Sequence, residues 1–150
     1  MTILVSACLL GANCRYDGES RPSPEILALA DRHTLIPFCP EVLGGLPTPR
    51  IPAEFDGERV RNRKGEDVTA FFKRGAQQAL RLARHHSPDL IILKDKSPSC
   101  GVGLRYSGAF DGILVTADGM TAALFKREGF RILSVADLTR EILDALAAKE

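Results

Sequence analysis

No tryptophan occurs in the 150 residues, and aromatic rings are limited to seven Phe and two Tyr. A platform that stacks successive bases of single-stranded nucleic acid on aromatic side chains is therefore not expected. Charge of one sign is also missing: 20 Lys and Arg stand against 19 Asp and Glu, a net +1. That balance speaks against a dedicated nucleic-acid binder and leaves only local basic patches to consider. No apolar run approaches the length of a membrane span. The opening residues, "MTILVSACLLGANC", have no basic stretch ahead of the apolar one, which itself holds a cysteine and soon meets Gly11. They read as a first strand, not as a secretory signal. The expectation is a cytoplasmic protein without a membrane partner, whose thiols stay reduced. C-x-x-C pairs, internal repeats and low-complexity segments are absent too.

What is present is the composition of a folded chain, 45% hydrophobic and 26% charged. The length suits one domain, 1–150, with a core of its own. "TILVSA" (2–7), "TLIPF" (34–38), "DLIILKD" (89–95) and "FRILSV" (130–135) are short continuous apolar runs and predict buried strands. Pro37 suggests the end of the second. Helices are predicted over "EILALADRH" (25–33), 67–86, 120–129 and 136–149 from their 3.6-residue apolar spacing, with Asp67 as a cap and Gly129 as a stop. Residues 40–57 carry four prolines and three glycines and read as a long constrained loop. The basic stretch 58–66 reads as a hairpin or mobile flap, and 105–115 as a small hairpin. Strands alternating with helices predict an α/β fold. The expected architecture is a single three-layer domain, with a mainly parallel sheet of about four to five strands flanked by helices.

Four cysteines remain to be placed. Cys8 follows the first strand, Cys39 the second, and Cys100 lies a few residues past the third. In an open parallel sheet the carboxyl ends of the strands share one edge, where ligands bind. Three thiols distant in sequence thus meet at one rim. Cys14, on the loop after the first strand, is close enough to join them. Three uses compete. The thiols are inert core residues, a common fate of cysteine. Or all four hold a structural zinc, against which the loose spacing stands. Or three hold an iron–sulfur cluster, which tolerates distant ligands and leaves one iron open as a Lewis acid. A fourth thiolate would close that position.

"VSACLLGANCRYDG" (5–18), "CPEVLGGLPTPRIPAE" (39–54), "DVTAFFKRGA" (67–76) and "KSPSCG" (96–101), with the later "GMTAAL" (119–124), closely resemble the thiouracil desulfidase (TudS) family. The likeness runs nearly end to end through several separate motifs. It implies a 4Fe-4S enzyme that removes sulfur from thiouracil, or a related thiolated nucleobase, to give uracil and hydrogen sulfide without net redox change. It implies three cluster ligands, Cys8, Cys39 and Cys100, and one open iron that takes up the thiocarbonyl sulfur. The implied partner is a small thiolated pyrimidine. Cys14 matches no essential ligand and reads as a spare thiol beside the site.

A general acid/base must handle the water proton and the leaving sulfide. Glu41, two residues past Cys39, is the first candidate; the competing reading is a surface or capping carboxylate. Ser99 and Ser97 flank Cys100 and are candidates for catalysis and substrate binding, but serines in an S-P-S turn also serve as turn formers. Ser6, before Cys8, has the same two readings. Arg15, Tyr16 and Arg50 are candidate substrate contacts, weighed against a local turn at Asp17–Gly18 and a surface ion pair for Arg50. Arg59, Arg61, Arg63 and Lys64 read as a solvated flap in preference to a phosphate track. His85 and His86 suit the helix end and are poor metal candidates. The rival function is a zinc- or cluster-stabilised binding module for thiolated RNA or nucleotides, without turnover.

Overall fold

The computed structural model describes residues 1–148. Strand β1 (Thr2–Ser6) is buried from Ile3 onward and runs straight into a 3-10 turn, Ala7–Leu10, closed by Gly11 at φ 97°. Helix α1 (Pro24–Ala28) starts at Ser23, whose hydroxyl accepts the Ile26 N–H, and tightens into a 3-10 turn, Leu29–Asp31. Strand β2 (Thr34–Phe38) leads to the short helix α2 (Pro40–Leu43). Strands β3 (Ala53–Phe55) and β4 (Val60–Asn62) pair as an antiparallel hairpin before the long helix α3 (Thr69–His86). Strand β5 (Leu90–Leu93) is followed by a second hairpin of β6 (Arg105–Tyr106) and β7 (Leu114–Val115). Helix α4 (Met120–Arg127), strand β8 (Ile132–Ser134) and helix α5 (Arg140–Ala147) complete the described chain.

The main sheet has the order β2-β1-β5-β8, every neighbour parallel. Its four strands sit between two helical layers, as the continuous apolar runs predict. Period-two alternation divides the side chains. Leu4, Ile91 and Leu93 face α3 and α4, where Ala76, Ala79, Leu80 and Phe125 meet them. Ile3, Val5, Leu90 and Ile92 face α1 and α5 through Ile26 and Leu146. Each such buried aliphatic side chain contributes roughly 1.5–3 kcal/mol by leaving water. Pro37 is tolerated inside β2 because β2 is an edge strand, where a missing N–H costs no ladder bond.

Three expectations are corrected. The 40–57 segment is not one loop: proline at its first position starts α2, and Ala53–Phe55 form a strand. The hairpin therefore pairs 53–55 with 60–62 and is not contained in 58–66. The closing helix is shorter than 136–149. Ser134 and Asp137 form a capping box on a 3-10 turn, and Thr139 caps α5 afresh at Arg140. Lys149, the last residue of that expected helix, lies outside the described residues.

Two close backbone approaches hold the functional edge. Gly44 and Gly75 bring α2 against α3. A Cβ on Gly75 would collide with the Pro40 carbonyl, and one on Gly44 with the Phe71 carbonyl. At the other side, the first N–H groups of α4 donate into the loop after β5: Met120 N to Pro98 O at 2.8 Å, Thr121 N to Ser99 O at 3.0 Å. The helix's unpaired donors thus find acceptors in a loop that has no ladder of its own. A Cβ on Gly119 would meet the Ser99 backbone at 2.7 Å.

Candidate active site

From β1 the chain goes outward to β2 and from its neighbour β5 outward to β8, so the connections leave these two strands in opposite directions. The carboxyl ends of β1 and β5 therefore border the crevice where such sheets bind ligands. A cleft of about 490 Å³ opens there, and all four cysteines line it. Cys8 sits in the 3-10 turn after β1, Cys39 at the junction of β2 and α2, Cys100 in the loop gripped by α4, and Cys14 on the loop toward α1. Cys8 and Cys100 are buried; Cys14 and Cys39 are half-buried, and none is in a disulfide.

The thiols affect one another. Cys14 packs against the same apolar cluster as Cys8, and its carbonyl lies 3.9 Å from the Cys39 thiol. Its hydrogen bond holds Cys8 below the ordinary thiol pKa, against burial and the nearby Cys100. Cys14 itself is raised, because donating to Cys8 and burial outweigh the opposing bond from Cys39. The bond to Cys14 and burial push Cys39 far up, although the Val42 N–H in the first turn of α2 works the other way. Burial pushes Cys100 up to about 12, opposed by a hydrogen bond from Ser6. Crowded, desolvated thiols of this kind ionise together only beside positive charge.

Glu41 is fixed at both oxygens. Its Oε1 accepts from Arg50 Nε at 3.1 Å, and its Oε2 accepts from the Ser99 hydroxyl at 3.0 Å. Ser99 is 2% exposed, and its Oγ is 3.0 Å from Ser97 Oγ and 3.8 Å from Cys100 Sγ. A continuous line thus runs from Arg50 through Glu41 and Ser99 to a cysteine. Ser97 Oγ accepts the N–H groups of Ser99 and Cys100 at 3.1 and 3.0 Å, which is what shapes the turn. Ser6 Oγ accepts the Lys94 N–H at 3.0 Å, tying β1 to β5.

Arg50 lines the cleft, but its donors are engaged. Besides Glu41 it binds Cys14 O at 2.8 Å, and Pro47 O and Thr48 Oγ1 at 3.1 Å each. It braces the loops around Glu41. Arg15 pairs loosely with Asp17 at 3.4 Å and stands 5.7 Å from the Tyr16 ring; its Nη1 is buried with no partner among the described residues. Both Arg15 and Tyr16 line the cleft. Two of the four cations of the basic stretch are neutralised: Arg59 pairs with Asp67 at 2.7 Å and Arg61 with Asp56 at 3.0 Å. Arg63 instead reaches the cleft and packs 5.2 Å from the Phe110 ring.

Sequence reasoning missed Lys94, Tyr106 and Phe110, which also line the cleft. Lys94 had a signal, since it ends the third apolar run. The two aromatics had only the glycine-punctuated hairpin that carries them.

A family model described as 2-thiouracil desulfurase matches residues 3–137. The chain belongs to that family. This desulfurase-family chain is also 44% identical, over 146 residues, to the uncharacterized protein YbbK of Bacillus subtilis, covering 91% of the chain and 97% of that relative. It is similar to a solved structure described as the 4Fe-4S-dependent thiouracil desulfidase TudS, with TM-score 0.88 and 47% identity over 97% of both chains.

The residues of this family member suit an iron–sulfur cluster. Its donors are soft thiols on three separate strand ends, the type of ligand such clusters take. Among the described residues no three His, Cys, Asp or Glu come together tightly enough to hold one metal ion.

Proposed function

We propose that the protein is a 4Fe-4S-dependent thiouracil desulfidase that exchanges the thiocarbonyl sulfur of a free thiolated pyrimidine for water oxygen. Thiouracil and water give uracil and hydrogen sulfide, so atoms balance and no electron donor enters. The observation that carries this reading is the meeting of Cys8, Cys39 and Cys100 with the Glu41–Ser99 pair on one cleft. The family membership and the likeness to TudS support it.

Cys8, Cys39 and Cys100 would hold the cluster, leaving one iron without a protein ligand. Bound there, the cluster supplies a Lewis acid with affinity for soft sulfur. The rest falls to the chain. Glu41 takes a proton from the attacking water, and the Ser99 hydroxyl relays one to the departing sulfur. Arg50 holds the carboxylate on that line and keeps it aimed at the cleft. Tyr16, Tyr106 and Phe110 offer apolar walls to a flat ring. Arg15 and Lys94 offer N–H donors to the ring's oxygen. The cleft volume lies in the range of small-molecule sites. With Arg59 and Arg61 already ion-paired, a bound RNA backbone finds little free cationic surface on the β3–β4 hairpin.

Protein purified without air is expected to be brown, to contain iron and acid-labile sulfide, and to convert thiouracil to uracil with equimolar sulfide. A colourless protein carrying one zinc and turning over no thiouracil would overturn the proposal.

A further inference from the structure

Cys14 is the one cleft thiol that the proposed reaction leaves unused. It is not remote from the others: it lines the same cleft and packs against the apolar cluster that holds Cys8. The Cys39 thiol turns toward the Cys14 carbonyl at 3.9 Å, and Arg50 anchors that same carbonyl at 2.8 Å. The loop is therefore pinned with Cys14 beside two proposed cluster ligands. Cys14 and Cys39 are half-buried in the open cleft, so a small oxidant reaches the group.

We propose that Cys14 is a resolving cysteine, which captures an oxidised ligand thiol as a disulfide when the site meets hydrogen peroxide. The peroxide oxidises the thiol of Cys8 or Cys39 to a sulfenic acid and leaves as water. The Cys14 sulfur then attacks the sulfenic sulfur, an S–S bond forms, the S–OH bond breaks, and a second water departs. Two thiols and one peroxide give one disulfide and two waters. The ligand thus stops at a reversible stage, where a small thiol restores it, and does not proceed to sulfinic acid. The disulfide follows from the placement of Cys14 beside the other thiols in the cleft; its consequence for cluster rebuilding rests on the ligand roles proposed above.

The test uses the full chain, isolated without air, loaded with iron and sulfide, and treated with hydrogen peroxide. Free thiols are then alkylated and the protein is digested with trypsin. Cys8 and Cys14 fall in peptide 1–15, Cys39 in 33–50 and Cys100 in 97–105. The expected product is peptide 1–15 closed on itself, or joined through Cys14 to 33–50, in either case reversed by dithiothreitol. Full alkylation of Cys14, or a bond that joins Cys8, Cys39 or Cys100 without Cys14, overturns the proposal. In Cys14→Ser, checked for fold by circular dichroism, sulfinic acid on Cys8 and Cys39 should rise several-fold, and iron reloading after reduction should fall. Equal sulfinic acid and equal reloading in variant and parent also overturn it. If thiouracil turnover fails while the disulfide maps as expected, the function proposed above is lost and this inference stands.

Discussion

Glu41 carries a charge in a half-buried place because two neighbours spend their donors on it. Arg50 sits on Oε1 and Ser99 on Oε2. Removing the carboxylate should leave the cysteines untouched, so Glu41→Ala is expected to keep iron and colour while turnover falls by roughly 10²–10⁴-fold, the usual worth of a placed acid/base. Unchanged rates would reject Glu41 in that role. Ser99→Ala should act in the same direction. Cys8→Ser, Cys39→Ser and Cys100→Ser should instead lose iron, whereas Cys14→Ala should retain both iron and turnover. Complete loss of turnover in Cys14→Ala would make Cys14 a ligand or catalyst. Each outcome is read from iron content and sulfide release on the same preparation.

Elements place those residues through backbone contacts that tolerate no side chain. Gly75 lets α2 rest on α3, and α2 follows directly on Cys39 and carries Glu41. Gly75→Ala forces a methyl into the Pro40 carbonyl. It should cost about 1–3 kcal/mol, the range for overpacking, and should lower iron binding together with stability. Chemical denaturation with parallel iron assays tests this; a variant with normal stability and full iron would show that α2 yields freely. At the start of α3, the Thr69 hydroxyl, the Thr69 N–H and Arg59 hold Asp67 well below the usual carboxylate range. A depressed carboxyl contributes stability above its unfolded pKa, near 3.9, and loses it as pH falls toward the folded value. Asp67→Asn should therefore be less stable than the parent at pH 6, with the gap closing below about pH 4. A gap that is constant with pH would remove the charge from the argument.

For the whole molecule, one buried cation joins the peripheral pieces. Arg105 is 6% exposed and donates to the carbonyls of Phe55, Tyr106 and Asp118, with the Phe55 ring 4.9 Å away. It clamps the β3–β4 hairpin, the β6–β7 hairpin and the start of α4 around the cleft. Arg105→Leu leaves those carbonyls without donors, each costing on the order of 1–3 kcal/mol if it stays dry. Proteolysis should then cut first in the two hairpins, and iron retention should fall although no proposed ligand has changed. Loading also acts globally, since a group bound only by the folded chain shifts the folding equilibrium. Removing iron by chelation should lower Tm, and Cys100→Ser should show no such difference between treated and untreated protein.

The sequence by itself determined the parallel sheet and the rim on which the thiols gather. Continuous apolar strands need helices on both faces, and parallel strands put Cys8, Cys39 and Cys100 at the same edge. Those are consequences of periodicity and chain direction, which a single sequence records. It also pointed to Glu41 and Ser99, through their places beside two of those cysteines. Tertiary structure alone decided how they act on each other. Glu41 and Ser99 are 58 positions apart, and their contact depends on α2 and the loop after β5 being held by α3 and α4. It also turned Arg50 from a free donor into a brace, found the short strand hidden among the prolines of 40–57, and put the Cys14 carbonyl beside the Cys39 thiol. Contacts of this kind arise from distances across loops, and loop geometry is fixed by packing against distant backbone, which leaves no period in the sequence.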